Sequence, residues 1–180
     1  MSKFRRKTRE TEVVVGLGDG TGAGAVQTSE PFLDHMLTTL AHYAGFDLEV
    51  RAAGDLPHHL IEDVAITLGT ALRDRTPATC ARYGTAAVPM DDAVVQVVLD
   101  NGGRAFYRGP LPDSHYDHFF RSLADNAAMT LHVLVLRGED RHHIVEAAFK
   151  AFGLALRQAL RDGDAVFSTK GAVEIERMED

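Results

Sequence analysis

Apolar residues recur along this chain at two spacings, one close to two residues and one close to four. "TEVVVGL" (11–17) is a β-branched run closed by the glycine-rich "GDGTGAG", and it predicts a strand. "PFLDHMLTTLAHYAG" (31–45) opens on Pro31, a favourable first-turn residue, and closes near Gly45, so a helix is expected. "FDLEVRA" (46–52) alternates apolar and polar and reads as a strand. From His58 to Arg73, Ile61, Val64, Ala65, Leu68 and Leu72 fall on one helical stripe. The second half predicts strands near 81–86, 93–100 and 104–108, a helix near 114–127, a strand at 129–136 and a long helix at 140–161.

The similarity of the two halves extends to individual residues. At an offset of 83 or 84 positions, "DHMLTTLAHYAGFDLEV" (34–50) falls on "DHFFRSLADNAAMTLHV" (117–133). Further along, His58, His59 and Glu62 meet His142, His143 and Glu146, and "LGTALR" (68–73) meets "FGLALR" (152–157). Agreement at so many positions in order marks an internal repeat. We read residues 1–180 as one domain made of two copies, at about 7–75 and 79–173, because "RDRTPATCARYG" (73–84) is too short for a linker. Each copy would present a helix-covered sheet, and the two copies would bury their faces together in an α/β (α+β) fold.

Composition narrows the function. A hydrophobic content of 45% with 25% charge suits a globular chain, and a net charge of -7 argues against nucleic-acid binding. The basic run "KFRRKTR" (3–9) reads as a solvated N-terminal arm. Cys80 is the sole cysteine, which excludes a disulfide framework and a thiolate cluster and leaves it as a small hydrophobe. No apolar run approaches the ~20 residues that span a bilayer, and no signal-peptide core is present, so the cytosol is the expected location.

The histidines carry the chemistry. On a helix His58 is four residues from Glu62 and His59 is three, while adjacent residues point about 100° apart. One helix therefore directs its two rings to two ions or to two sides. The second copy repeats this with His142, His143 and Glu146, and His35 and His118 precede them at equivalent positions. Shared between two metals, six histidines and two glutamates give three His and one Glu apiece. Such a set suits an octahedral first-row ion with open positions, manganese or iron rather than a closed structural zinc. His42, His115 and His132 lack repeat partners and read as surface or packing residues.

At these residues the chain resembles the imidazoleglycerol-phosphate dehydratase family of histidine biosynthesis. The resemblance is carried by "KTRETEV" (7–13), "EPFLDHML" (30–37), "HHLIEDVAITLGTAL" (58–72), "RYG" (82–84), "PMDDA" (89–93) and "GGRAFY" (102–107). It continues through "DHFFRSLADNAAMTLH" (117–132), "HHIVEAAFKAFGLALRQA" (142–159) and "STKG" (168–171). The resemblance implies a duplicated unit with two four-stranded sheets, of the ribosomal S5 domain 2-like type. It implies a lyase that removes water from imidazole glycerol phosphate to give imidazole acetol phosphate. It also implies trimers assembling into a twenty-four-subunit shell, with manganese sites at the interfaces. Carried over by position, His35, His58, His59, Glu62, His118, His142, His143 and Glu146 would hold two divalent metal ions, Mn2+ foremost. Which ligand serves which ion, and from which subunit, stays open. Glu10 would bind substrate and transfer a proton, with Glu62 and Glu146 also in the catalytic group. Arg82, Arg104, Lys150, Ser168 and Lys170 would hold the substrate phosphate. No nucleic-acid or membrane partner is implied.

The chain departs from the family pattern at "GDLPHHL" (54–60), which is about three residues short and carries Leu60 in place of threonine. Thr38-Thr39 replaces a usual polar residue, often Gln, and "GLGDGTGAGA" is more glycine-rich than its counterpart; we assign that loop no role. A diverged paralogue that binds metal and assembles, but is inactive or uses another imidazole phosphate, is the alternative reading. Two other classes compete. A metal-storage or assembly protein would need no phosphate clamp, and a two-metal hydrolase would lean on bridging Asp rather than His.

Overall fold

The computed structural model describes residues 1–77 and 79–163. The first half runs β1 (Ser2–Lys7), β2 (Thr11–Asp19), β3 (Gly24–Gln27), α1 (Pro31–Ala44), β4 (Phe46–Gly54) and α2 (Pro57–Arg75). The second runs β5 (Tyr83–Met90), β6 (Ala93–Asp100), β7 (Phe106–Arg108), α3 (Ser114–Ala127), β8 (Thr130–Arg137) and α4 (Arg141–Ala159). The sheets have matching orders, β1-β2-β4-β3 and β5-β6-β8-β7. In each, only the last pair, β3 with β4 and β7 with β8, is parallel. These are the two four-stranded sheets and four helices of an α+β chain built twice.

Local chemistry sets the helix ends. Pro31 and Pro57 begin α1 and α2, where the missing N–H costs nothing. Asp113 accepts from the backbone N–H groups of His115 and Tyr116, and Asp140 from that of His142, capping α3 and α4. Gly45 closes α1 in the left-handed region, at φ 74.

The N-terminal basic run is not a solvated arm. Residues 2–7 form edge strand β1, antiparallel to β2. Charge hides its alternation. Phe4 packs against the core and Arg6 turns inward to Asp63, while Lys3 pairs with Glu49, and Arg5 and Lys7 with Glu12, on the outer side. Lysines on an edge strand also deter further pairing. The glycine-rich stretch hides strand as well, since β2 runs on through Asp19 and β3 begins at Gly24. Strand β5 starts two residues later and runs four residues further than the sequence pattern suggests. Cys80 is buried and unpaired.

Each sheet buries one face beneath its own helices, and the helices then cross between halves. Helix α2 packs on α3, and α4 on α1. The crossings are tight because small residues sit at them. A Cβ on Gly69 would lie 2.6 Å from the Leu123 carbonyl oxygen, and one on Gly153 would lie 2.9 Å from Tyr43 Cβ. Phe119, Phe120, Phe149 and Phe152 fill the layer between α3 and α4, with the Phe120 and Phe149 rings 4.8 Å apart.

Candidate metal centre and active site

The crossings decide which histidines meet. Because α4 lies on α1, His35 of the first half joins His142 and Glu146 of the second. The Nε2 atoms of His35 and His142 lie 3.4 and 3.2 Å from Glu146 Oε2. Because α2 lies on α3, His118 of the second half joins His58 and Glu62 of the first. His118 Nε2 is 3.2 Å from one Glu62 oxygen, and His58 Nε2 is 3.7 Å from the other. In both groups the ligand atoms lie within 4.8 Å of one another. Each group thus takes the i, i+4 pair of one repeat and the upstream histidine of the other.

These groups fit a divalent cation. His118 Nε2 is buried, and its 3.2 Å approach to Glu62 is not aligned as a hydrogen bond, so it has no hydrogen-bond partner among the described residues, a costly state for an imidazole nitrogen unless something binds it. The donor set of imidazole and carboxylate without thiolate suits manganese or iron. Glu146 is nearly buried, which pushes its carboxyl up. The Lys150 ammonium at 2.8 Å and His35 outweigh that burial and hold it below the usual carboxylate value. It is therefore ready as an anion.

His59 and His143 point elsewhere. The two rings of each pair diverge, at 63° for His58 and His59 and 89° for His142 and His143. His59 Nδ1 lies 2.9 Å from Asp55 Oδ1, and His143 Nδ1 lies 2.6 Å from Asp92 Oδ1. An ionised carboxylate only accepts, so each Nδ1–H donates, and in the neutral ring Nε2 carries the lone pair. This carboxylate–histidine pairing is how proteins orient metal-binding imidazoles. The hydrogen bonds to Asp55 and Asp92 also raise both histidines above their ordinary pKa. Asp92 is itself held well below the carboxylate range, first by the backbone N–H of Glu139 and then by His143.

The remaining predicted residues are dispersed. Glu10 sits in the turn between β1 and β2, with Oε2 3.6 Å from His59 Nδ1. Lys150 serves Glu146, with its ammonium also 3.3 Å from Met90 Sδ and above the Tyr43 ring. Arg82 forms a two-point pair with Asp100, at 2.6 and 2.9 Å, beside a cleft of about 320 Å³ lined by Arg73, Thr76, Asn101 and Gly102. Arg104 is exposed in the neighbouring loop. The Arg82 N–H bonds the carbonyl of Ala159, nine residues beyond Lys150 on α4, so about 13 Å of helix separates the two. Among the described residues, Lys150 and Arg82 therefore stand apart within one chain. Ser168 and Lys170 lie outside the described residues. His115, read as surface, has its ring 5.9 Å from that of His58. The sequence reading also missed Asp55 and Asp92. Asp55 stands four residues before His59, a spacing that signals it, whereas Asp92 lies 51 residues from His143 and has no such signal.

The fold and the site together define a class: a duplicated α+β chain whose two long helices each offer a His–Glu pair to a histidine from the opposite half, suited to divalent-metal chemistry. The family model for imidazoleglycerol-phosphate dehydratase matches residues 28–156. The imidazoleglycerol-phosphate dehydratase of Methanoculleus marisnigri is 45% identical, over 96% of this chain and 98% of that one. The crystal structure of the Pyrococcus furiosus enzyme superposes with a TM-score of 0.85 at 42% identity, covering 94% of this chain and all of that one. That of the Staphylococcus aureus enzyme gives 0.79 at 31% identity, over 90% and 99%. The chain belongs to the imidazoleglycerol-phosphate dehydratase family.

Proposed function

We infer that this chain is a manganese-dependent hydro-lyase that converts imidazole glycerol phosphate to imidazole acetol phosphate in cytosolic histidine biosynthesis. The observation that carries the reading is the pair of repeat-related His–His–Glu groups, one with an orphaned imidazole nitrogen, in a chain that matches a dehydratase over 96% of its length. His59 and His143 of a neighbouring copy would complete the groups, giving each ion three histidines and one glutamate. The separation of Lys150 from Arg82 along α4 favours the same arrangement, with active sites assembled between subunits of trimers and of a larger shell. When bound, two divalent ions supply Lewis acidity and a template that holds the imidazole ring.

The other work falls to this chain's side chains. The reaction removes a carbon-bound hydrogen and a hydroxyl as water, and the resulting enol relaxes to the ketone. The hydrogen is not acidic, so a base alone would fail, and a positioned carboxylate takes it only as the ring withdraws charge. Glu10 Oε2, beside His59, is that base. Arg82, Arg104 and Lys150, with Ser168 and Lys170, hold the phosphate. The arginine fork offers paired donors, and Asp100 keeps the Arg82 guanidinium oriented until the phosphate arrives. Purified, manganese-loaded protein incubated with imidazole glycerol phosphate should form the ketone. No turnover from an assembled, metal-bound sample would reject the reading.

A further inference from the structure

We propose that Asp63 is a positioning residue for Glu10, acting through a one-way chain of hydroxyls at the β1–β2 turn. The proposal rests on the reading of Glu10 as the proton-transfer carboxylate.

Asp63 follows Glu62 on α2, and adjacent helical residues diverge by about 100°. Glu62 therefore faces the metal group while Asp63 faces the first sheet, where it is 7% exposed. Its carboxylate accepts from Arg6 Nε at 2.9 Å and from the Thr11 hydroxyl, itself buried. A hydroxyl has one hydrogen to give. Thr11 gives its own to Asp63, so across the 3.1 Å contact Thr8 is the donor to Thr11. Both lone pairs of the Thr8 oxygen are then free, and they accept the backbone N–H groups of Glu10 at 3.1 Å and Thr11 at 3.0 Å. The Glu10 carbonyl in turn accepts from Asp55 N–H at 3.1 Å. The Glu10 backbone is thereby tied on one side to Asp63 and on the other to the loop before His59. The direction of the whole relay is set by a group at Asp63 that only accepts.

The other half shows that the packing does not need this charge. The repeat equivalent of Asp63 is Ala147, which is fully buried. A buried carboxylate is costly to keep unless every lone pair is used, and an apolar residue fills the same place without it. The charge is kept only in the half whose first turn carries Glu10. With Asn at this position an amide would face either Thr11 or Arg6. If it faces Thr11, the relay reverses and a third hydrogen crowds Thr8.

The test is a double-mutant cycle on manganese-loaded protein, with Glu10→Gln, Asp63→Asn and the double variant. Removing the proton-transfer carboxylate should lower kcat by about 10²–10⁴-fold. Misplacing it through Asp63→Asn should lower kcat by up to about 10²-fold, with KM nearly unchanged. The double variant should be no slower than Glu10→Gln alone, with full metal content throughout. In metal-free protein, amide hydrogen exchange at Glu10 and Thr11 should quicken with Asp63→Asn. Losses that multiply, loss of metal, or unchanged kcat and exchange would overturn the proposal. Should Asp63→Asn fail to fold, Thr11→Val breaks the same relay and is judged by the same outcomes. Normal turnover of Glu10→Gln by itself would refute the Glu10 reading and this proposal with it, whereas an intact Glu10→Gln defect with multiplying losses refutes this proposal alone.

Discussion

Asp55 and Asp92 occupy unrelated places, one in the two-residue step into α2 and the other in the β5–β6 turn, yet each takes the Nδ1 of one helix histidine. This makes the neighbours of the ligands as testable as the ligands. Asp55→Ala leaves His59 in place but free to rotate, and should weaken manganese binding about 10–100-fold in calorimetric titration, with little change in stability. His143→Ala should lose both the metal and turnover, measured by metal analysis and product formation. Normal turnover in that variant would contradict its place in the ligand set. The His-x-x-x-Glu spacings are legible in the sequence because they are local to one helix. The groups they form are not, because each is finished by His35 or His118 from the opposite half, a contact set by helix crossing. Asp63 is hidden for the same reason, since its partners Arg6 and Thr11 lie on strands more than fifty residues away.

At the level of elements, α2 and α4 carry the His–Glu pairs and complete each group by packing on α3 and α1. Gly69 and Gly153 let them approach α3 and α1 closely. Gly69→Ala should force Leu123 and Asn126 away, costing about 1–3 kcal/mol as overpacking. For a domain of this size that lowers Tm by about 2–12 °C in a thermal melt. Glu62 is two turns from Gly69 on the same helix, so manganese binding at His58, Glu62 and His118 should weaken too, while the His35 group is spared. Most elements are legible because their period survives in the sequence. β1 is not, because its inward positions are a phenylalanine and an arginine among lysines and arginines, and β3 is masked by the glycines around it.

The two sheets differ in what their outer faces offer. The first carries paired charges, Lys3 with Glu49 and Arg5 with Glu12. The second exposes Val98, Phe106, Leu134 and Leu136, each at least 40% accessible, on one side of β6, β7 and β8. Exposed apolar side chains grouped in this way make this face a candidate interaction surface. In the proposed assembly it packs against other copies, so Leu134→Glu should shift sedimentation velocity to smaller species. An unchanged profile would place the contact elsewhere. Lys170→Ala should mainly raise KM, as a phosphate contact would. No helix among the described residues is long and apolar enough to cross a membrane.

We propose that helix crossing makes two cation sites per chain and that other copies complete them. Anomalous diffraction from crystals grown with manganese tests it most directly. Two peaks per chain are expected, one at His35, His142 and Glu146 and one at His58, His118 and Glu62, each also bonded by His59 or His143 from a neighbouring copy. An absence of peaks at these groups, or ions held without any histidine from another copy, would contradict it.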